Sequence, residues 1–389
     1  MTAAGGSTAV IYLPSPAGLE AAQLTVAGRP VVFRVIAVAV RAGAARVLVP
    51  ARFRELLAPA LSSAPRVARA VEWIDGTTPP PGDAVLIAAP SVAGADTLAG
   101  MFVTPPPATH EGARSAGIPI VAAPARLVAT LWPAIATAVP IGAEMEKALA
   151  GPGITVVQNR GLVHAVHDAA SAEVGERRLY TTLGSAIDTP WDRLFHRRFS
   201  RHVSRAAVAL GLAPNTITIA SLAAGLIAAW LFWRATPLEA VAALVVYAVA
   251  VVLDHADGEV ARLTLTESAV GEWLDIAVDT VIHSTVVMAL GATSAALTGH
   301  GFWLGVVGAT GTVASAAVMK VWPALAMPDR LGTTISEIGN RDGFYAMLAG
   351  FIVVRALWPQ ALPWLMIVVA AGSHAYWVGR VLYRVTRGA

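Results

Sequence analysis

The sequence predicts an α/β domain on a mainly parallel sheet, fused to an all-α polytopic membrane domain with six transmembrane helices. Three observations carry this. The 389 residues are 56% hydrophobic and only 14% charged, with a mean hydropathy of +0.63. A soluble chain does not easily bury that much apolar surface, and its usual charged share is about 25%. Residues 1–170 offer no clean apolar run of about 20 residues, because Pro, Gly, Arg and Asp interrupt each candidate. From Pro214 onward such runs follow one another to the end.

In the first part, short β-branched runs alternate with helical patterns, which suggests a parallel sheet with helical crossovers. Ser7 to Leu13, Arg46 to Val49, Ala68 to Ile74, Ala84 to Ala88 and Ile118 to Ala122 read as buried strands. Pro30 to Arg41, Ala51 to Leu61 and Pro124 to Ala138 read as helices. Residues 171–213 change texture: RRLYTTLGSAIDTPWDRLFHRRFSRHVSR sets Arg and His among Leu, Trp, Phe and Val. That mixture predicts an amphipathic helix in the membrane interface, Trp191 and Phe199 dipping into the lipid and the cations meeting lipid phosphates.

Six spans are predicted at Thr216 to Trp233, Pro237 to Leu263, Glu267 to Leu297, Phe302 to Pro323, Arg341 to Trp358 and Leu362 to Tyr383. Pro214-Asn215-Thr216 opens the first with a helix-start signal. Basic residues gather before span one and after spans two, four and six, including Arg262, Lys320, Arg330, Arg380, Arg384 and Arg387. The positive-inside rule then puts both termini on the cytoplasmic side of the inner (plasma) membrane. Met1 to Gly6 lacks the features of a secretory signal, and zero cysteines exclude disulfides and thiolate chemistry. The formal net charge of +3 is too mild to call for a nucleic-acid partner.

The most unusual stretch is Leu253 to Asp279, LDHADGEVARLTLTESAVGEWLDIAVD. A carboxylate inside a membrane costs several kcal/mol unless it binds something, and here Asp254, Asp257, Asp275 and Asp279 stand in two predicted spans. Helical spacing puts Asp254, Asp257, Gly258, Ala261 and Arg262 on one face, and Gly271, Asp275 and Asp279 on another. A tight turn at Thr264 to Thr266 brings the faces together. Two carboxylates from each helix make a hard, oxygen-rich site for Mg²⁺ or Mn²⁺, with room for two ions. Gly258, Ala261 and Gly271 leave space for a phosphorylated ligand against the backbone, and Arg262 supplies a cation beside it.

These residues fit D-x2-D-G-x2-A-R-x8-G-x3-D-x3-D at every fixed position from Asp254 to Asp279, and so resemble the signature of the CDP-alcohol phosphotransferase (CDP-alcohol phosphatidyltransferase) family. The resemblance extends to the PNxxT start at Asn215 and covers the membrane half, residues 214–389. It implies metal-dependent transfer of a phosphoalcohol group from a CDP-alcohol to an acceptor hydroxyl, without a covalent intermediate and with release of CMP. Asp254, Asp257 and Asp275 would be metal ligands. Asp279 would be the general base and would also stand near the second ion. Gly258, Ala261, Arg262 and Gly271, with Asp254, would line the nucleotide groove. His255 occupies a position the family leaves free and is not expected to bind metal. The family also implies a homodimer.

Lys320, Arg341 and Arg380 are expected at the level of the aspartates, and similar basic residues serve the branch of the family that uses inositol phosphate. Singly each reads as a snorkelling or positive-inside residue; together they frame an anion pocket for a phosphorylated polyol. Asn340-Arg341-Asp342 and the preceding α/β domain also resemble archaeal and bacterial fusions of a cytidylyltransferase-like domain with a di-inositol-phosphate phosphate synthase. The donor is either CDP-diacylglycerol or a soluble CDP-polyol. The alternatives are an unphosphorylated acceptor (serine, glycerol or a lipid hydroxyl), or a non-catalytic membrane scaffold with a nucleotide-binding domain.

Ala27 to Pro50 and Asp83 to Val92 are similar to the opening of sugar-phosphate nucleotidyltransferase domains. Those carry a Gly-rich, basic loop after the first strand whose N–H groups cradle a triphosphate. Here the place reads LPSPAGLEAAQ (Leu13 to Gln23), with no Arg or Lys, and Ala88-Ala89-Pro90-Ser91 stands where a metal-binding carboxylate would be. A degenerate, regulatory or structural nucleotidyltransferase-like domain is therefore expected at residues 1–170.

Overall fold

The computed structural model describes residues 7–74, 76, 78–103, 112–115, 120–149, 154–157, 161–184, 188–234, 236–322 and 340–387. The chain divides into two compact units, Met1–Leu183 with Leu263–Thr266, and Gly184–Arg262 with Glu267–Ala389.

The first unit is α/β. Its strands are β1 (Thr8–Tyr12), β2 (Thr25–Val26), β3 (Arg29–Pro30), β4 (Arg46–Pro50), β5 (Val71–Ile74), β6 (Ala84–Ala88), β7 (Ser91–Ala93), β8 (Gly112–Ser115), β9 (Ile120–Ala123), β10 (Ile154–Val157) and β11 (Val163–Ala165). Its helices are α1 (Gly18–Gln23), α2 (Val31–Arg41), α3 (Arg54–Ser62), α4 (Pro65–Ala70), α5 (Ala95–Val103), α6 (Ala125–Ala136), α7 (Gly142–Leu149) and α8 (Ala169–Thr181). Seven strands form one sheet in the order β10-β8-β9-β6-β1-β4-β5. β1 runs parallel to β4 and β6, β4 to β5 and β10 to β8, whereas β9 is antiparallel to both neighbours. The expected mainly parallel sheet is present, with one reversed strand.

β1 shows why these runs are mostly apolar. Ala9 and Ile11 face one core and Val10 and Tyr12 the other, so both sheet faces are covered, and the buried Thr8 at the strand's start has its hydroxyl bonded by Arg46 Nε at 3.0 Å. Ala68 to Ala70, expected as strand, belong to α4, since Pro65 presets the first helical turn. The expected strand at Ile118 begins outside the described residues and is β9 from Ile120.

In an open sheet of this kind, ligands favour the carboxyl end at the point where strand order reverses, here beside β1. The following loop is poorly made for that. Pro14 and Pro16 carry no N–H, and Ile141 N–H donates to the Leu13 carbonyl at 2.9 Å. A Cβ at Gly142 would stand 2.2 Å from the Pro14 carbonyl oxygen, so α7 already lies against the loop.

The second unit is helical. A five-residue π-helical turn, Asp192–His196, leads into α9 (Arg197–Ala209). Then come α10 (Pro214–Trp233), α11 (Pro237–Thr264), α12 (Ala269–Thr298), α13 (Phe302–Val321), α14 (Arg341–Leu357) and α15 (Leu362–Arg387). Among the described residues, five helices are long and apolar enough to cross a membrane: Pro214–Trp233, Pro237–Thr264, Ala269–Thr298, Phe302–Val321 and Pro359–Thr386. They turn Ile219, Ile227, Trp230, Val245, Trp303 and Trp364 outward, as lipid-facing surfaces do. The expected span at residues 341–358 is α14, whose 17 residues rise about 26 Å and start on Arg341-Asp342, short of the roughly 30 Å apolar thickness of a bilayer. The expected end of span four at Pro323, and Arg330, lie outside the described residues.

Close approach replaces hydrophobic drive where helices meet in lipid. A Cβ on Gly291 would stand 2.6 Å from the Gly305 Cα, which ties α12 to α13, and one on Gly225 would run into Ile282 at 2.4 Å, which ties α10 to α12. Hydroxyls complete the contacts: Ser221 donates to the Ala250 carbonyl at 2.9 Å and Thr293 to the Phe232 carbonyl at 2.6 Å.

The juxtamembrane segment is amphipathic with its polar side inward. Trp191, Leu194, Phe195 and Phe199 are exposed, while Asp192, His196, Arg197, Ser200 and Ser204 are buried. Arg197, one of the cations expected to meet lipid phosphates, instead bonds both oxygens of Asp188 at 2.7 and 2.9 Å and Glu259 at 2.8 Å. Burial alone would lower its pKa; those carboxylates outweigh that and raise it.

Candidate active site

α11 and α12 are joined by a short turn in which Leu265 adopts a left-handed conformation (φ 59°), and the Thr264 and Thr266 hydroxyls bond at 2.8 Å. Ser268 caps α12, its hydroxyl accepting from Gly271 N–H at 3.0 Å. The helices thus run back antiparallel, as the spacing of the motif requires. Asp257 is buried, and Asp254, Asp275 and Asp279 are half-buried.

The four carboxylates converge. Asp254 and Asp275 lie within hydrogen-bonding reach of one another, Asp254 also interacts with Asp279, and Asp257 with both Asp254 and Asp279. Two neighbours hold them. The Thr218 hydroxyl donates to Asp257 Oδ2 at 2.6 Å, and Arg341 Nη2 donates to Asp254 Oδ2 at 3.0 Å. Thr218 is the threonine of the PNxxT run, so that signal has a physical role: it fixes a motif carboxylate from the first span.

The small residues behave differently from one another. A Cβ at Gly258 would make only ordinary contact, 3.5 Å, with the Arg262 guanidinium, so protein packing does not dictate a glycine there. At Gly271 a Cβ would press the capping Ser268 Oγ at 3.2 Å and make only ordinary contact with Asn215 Oδ1 at 3.5 Å, so it is the helix start that favours a glycine. Ala261 and Arg262 are half-buried, and the Arg262 Nε is buried without a hydrogen-bond partner among the described residues.

The three expected acceptor cations are not equivalent. Arg341 reaches the aspartates. Lys320 pairs with Glu272 and lies over the Trp273 ring, 4.9 Å from its centre. Arg380 is almost fully buried, donating to the Tyr376 hydroxyl at 2.9 Å and to the Trp322 carbonyl. Among the described residues, neither Lys320 nor Arg380 contacts the four aspartates.

Around Arg341 stands a cluster the sequence did not announce. Asp192 Oδ1 accepts from His196 Nδ1 at 2.9 Å and lies 2.9 Å from His255 Nε2 and 3.4 Å from Arg341 Nη1. His255 Nε2 is in turn 2.7 Å from Arg341 Nη1, and His196 Nε2 is 2.9 Å from the Tyr345 hydroxyl. Burial would raise the Asp192 pKa, but the hydrogen bond from His196 and the Arg341 charge hold it well below the usual carboxylate range. Asp192, His196 and His255 bring possible ligand atoms within 4.8 Å of each other, a metal-like grouping. The Arg341 guanidinium already supplies a cation at that point, and His196 spends both ring nitrogens on Asp192 and Tyr345.

A family model described as CDP-alcohol phosphatidyltransferase matches residues 211–374, from the end of α9 through the whole motif and into α15. Residues 211–374 belong to the CDP-alcohol phosphatidyltransferase family. Members of that family are transferases of phosphate-containing groups that carry out phosphoalcohol transfer in phospholipid synthesis, bind a CDP-alcohol donor and an alcohol acceptor in the membrane, and typically use a divalent metal; the match and the five apolar helices suggest an integral membrane protein. No curated protein matches the chain. Within the matched region lie the four aspartates, Thr218, His255, Lys320 and Arg341; Asp192, His196 and Arg380 fall outside it.

Proposed function

We propose that this transferase moves a phosphoalcohol group from a CDP-alcohol, either CDP-diacylglycerol or a CDP-polyol, to a hydroxyl of a phosphorylated polyol such as inositol phosphate, releasing CMP. The observation that carries this reading is Arg341, a guanidinium set directly on the carboxylate cluster at Asp254, where an anionic acceptor would meet it.

The residues suit divalent cations. Four carboxylates share a half-buried space, and Arg341 is the one cationic side chain contacting them among the described residues, so a charge imbalance remains that hard cations match. Asp254, Asp257, Asp275 and Asp279 would hold two Mg²⁺ or Mn²⁺ ions. When bound, such ions spread the charge of the donor diphosphate and of the departing CMP. The chain's own groups do the rest. Thr218 keeps Asp257 turned inward. Gly258 and Ala261 leave the α11 surface low enough for the nucleotide, and the half-buried Arg262 guanidinium offers donors to its phosphates. Asp279, one turn beyond Asp275, takes the proton from the acceptor hydroxyl as its oxygen bonds to phosphorus and the bond to CMP breaks.

α14 is a sixth, short span, both termini and the aspartates face the cytoplasm of the inner membrane, and the protein works as a homodimer. The first unit is a degenerate nucleotidyltransferase-like domain, a reading supported by its proline-bearing loop after β1. The decisive experiment is a screen of CDP-alcohols and acceptors with product identification by mass spectrometry. Arg341→Ala should raise the KM of a phosphorylated acceptor about 10- to 100-fold, the worth of one charge-assisted bond, with the donor KM little changed. An unchanged acceptor KM would point instead to serine, glycerol or a lipid hydroxyl.

A further inference from the structure

Arg341 has more partners than binding a phosphate requires, and those partners come from two separate elements. Its Nη2 meets Asp254 of α11 at 3.0 Å, while its Nη1 meets His255, also of α11, at 2.7 Å and Asp192 of the π-helical turn at 3.4 Å. One turn further along α14, Tyr345 meets His196 of the same π-helical turn at 2.9 Å. We propose that Asp192 and His255 are positioning residues, a buried carboxylate and imidazole that aim the Arg341 guanidinium at the acceptor phosphate; this rests on the reading of Arg341 as the acceptor's contact.

The donors and acceptors around Asp192 give a consistent chain. Tyr345 donates its hydroxyl proton to His196 Nε2, which leaves His196 Nδ1–H to donate to Asp192 Oδ1. Asp192 Oδ2 accepts from the Thr189 N–H at 3.0 Å. With Asp192 so engaged, the lone pair of His255 Nε2 is best placed to accept from Arg341, because a single ring nitrogen cannot donate to Asp192 and accept from Arg341 at once. Asp192, His196 and His255 are 3%, 1% and 8% exposed, so water does not replace these contacts when one is lost. A guanidinium on a long, flexible stem is thereby held in one plane before any substrate arrives, which lowers the ordering cost of binding. The same bonds explain the polar inward face of the juxtamembrane segment, which a purely lipid-binding helix would not need.

The test uses the full chain in detergent or nanodiscs with Mg²⁺, an inositol phosphate as binding probe, and CMP release as turnover. His255→Ala and Asp192→Asn should each weaken inositol phosphate binding about ten-fold, with the KM of the CDP-alcohol and the affinity for Mn²⁺ changed by less than about three-fold. His255→Gln, whose amide oxygen can accept from Arg341, should recover most of the loss, as a purely structural defect would not. In an Arg341→Ala background, His255→Ala should cost nothing further in kcat/KM. Additive losses, a loss in His255→Ala that Arg341→Ala does not share, or no recovery by His255→Gln would overturn the proposal. So would a transition metal that co-purifies with the wild type and is lost in His196→Ala. If Arg341→Ala leaves inositol phosphate binding intact, the acceptor reading fails separately, and positioning is still decided by whether the two changes are additive.

Discussion

Thr218→Val is the sharpest probe of how the carboxylates are held. The hydroxyl has one proton and two acceptors in reach, Asp257 Oδ2 at 2.6 Å and the Pro214 carbonyl at 3.2 Å. The carboxylate is both closer and charged, so the proton belongs to Asp257. Thr218 and Asp257 are 4% and 5% exposed, which leaves no ready water to replace the bond. Valine keeps the shape and removes only the donor. A hydrogen bond to a charged group is worth about 1.5–3 kcal/mol, and loss of such an outer partner weakens metal binding by about 10- to 100-fold. Titration of the purified protein with Mn²⁺, followed by electron paramagnetic resonance, should show a Kd raised within that range, and Thr218→Ser should stay within about three-fold of wild type. An unchanged Kd in Thr218→Val, or equal damage from serine, would refute the argument.

Other consequences follow from packing and charge. Gly225→Ala should destabilise the bundle by about 1–3 kcal/mol in thermal unfolding, because its Cβ meets Ile282 at 2.4 Å, and Ile282→Ala should relieve the clash in the double variant. Arg197→Met removes the guanidinium that bonds Asp188 and the fully buried Glu259 and should cost about 3–5 kcal/mol, seen as a lower Tm; adding Glu259→Leu should restore part of it. Asp168 caps α8, accepting from Ser171 N–H at 2.8 Å, and that bond holds its pKa below the ordinary carboxylate value. The folded state favours the ionised form, so the cap is complete above the ordinary value of about 4 and is lost as pH falls through the folded pKa. Amide-exchange protection factors in the first turn of α8, with the intrinsic pH dependence divided out, should fall with acid in the wild type and stay flat in Asp168→Asn.

Much of this was legible because it rests on local pattern. The apolar runs of β1 and β6 had to be strands covered on both faces, and the aspartates at helical spacing had to meet once a turn reversed the chain. Thr218 was visible as part of PNxxT, although not what it touches. What the sequence could not show depends on contacts between distant elements. His255 carries no signal by itself; its meaning comes from Asp192, 63 residues earlier, and Arg341, 86 residues later. The basic texture of residues 193–205 suggested lipid phosphates, and composition alone cannot reveal that Arg197 is claimed by Asp188 and Glu259. Lys320 and Arg380 looked equivalent to Arg341 by charge and position, yet their side chains bond Glu272, Tyr376 and the Trp322 carbonyl.

The central claim is that Asp279 acts as the base of a metal-dependent transfer at the carboxylate cluster. Its most direct measurement is CMP release from CDP-alcohols by the purified full chain, with Mg²⁺ or Mn²⁺ and a panel of acceptors, for wild type and Asp279→Asn. CMP release that requires the metal, stops on chelation and falls by about 100-fold or more in Asp279→Asn is the predicted result, in line with the usual worth of a general base. An Asp279→Asn protein as active as wild type, or release that ignores chelation, would contradict it.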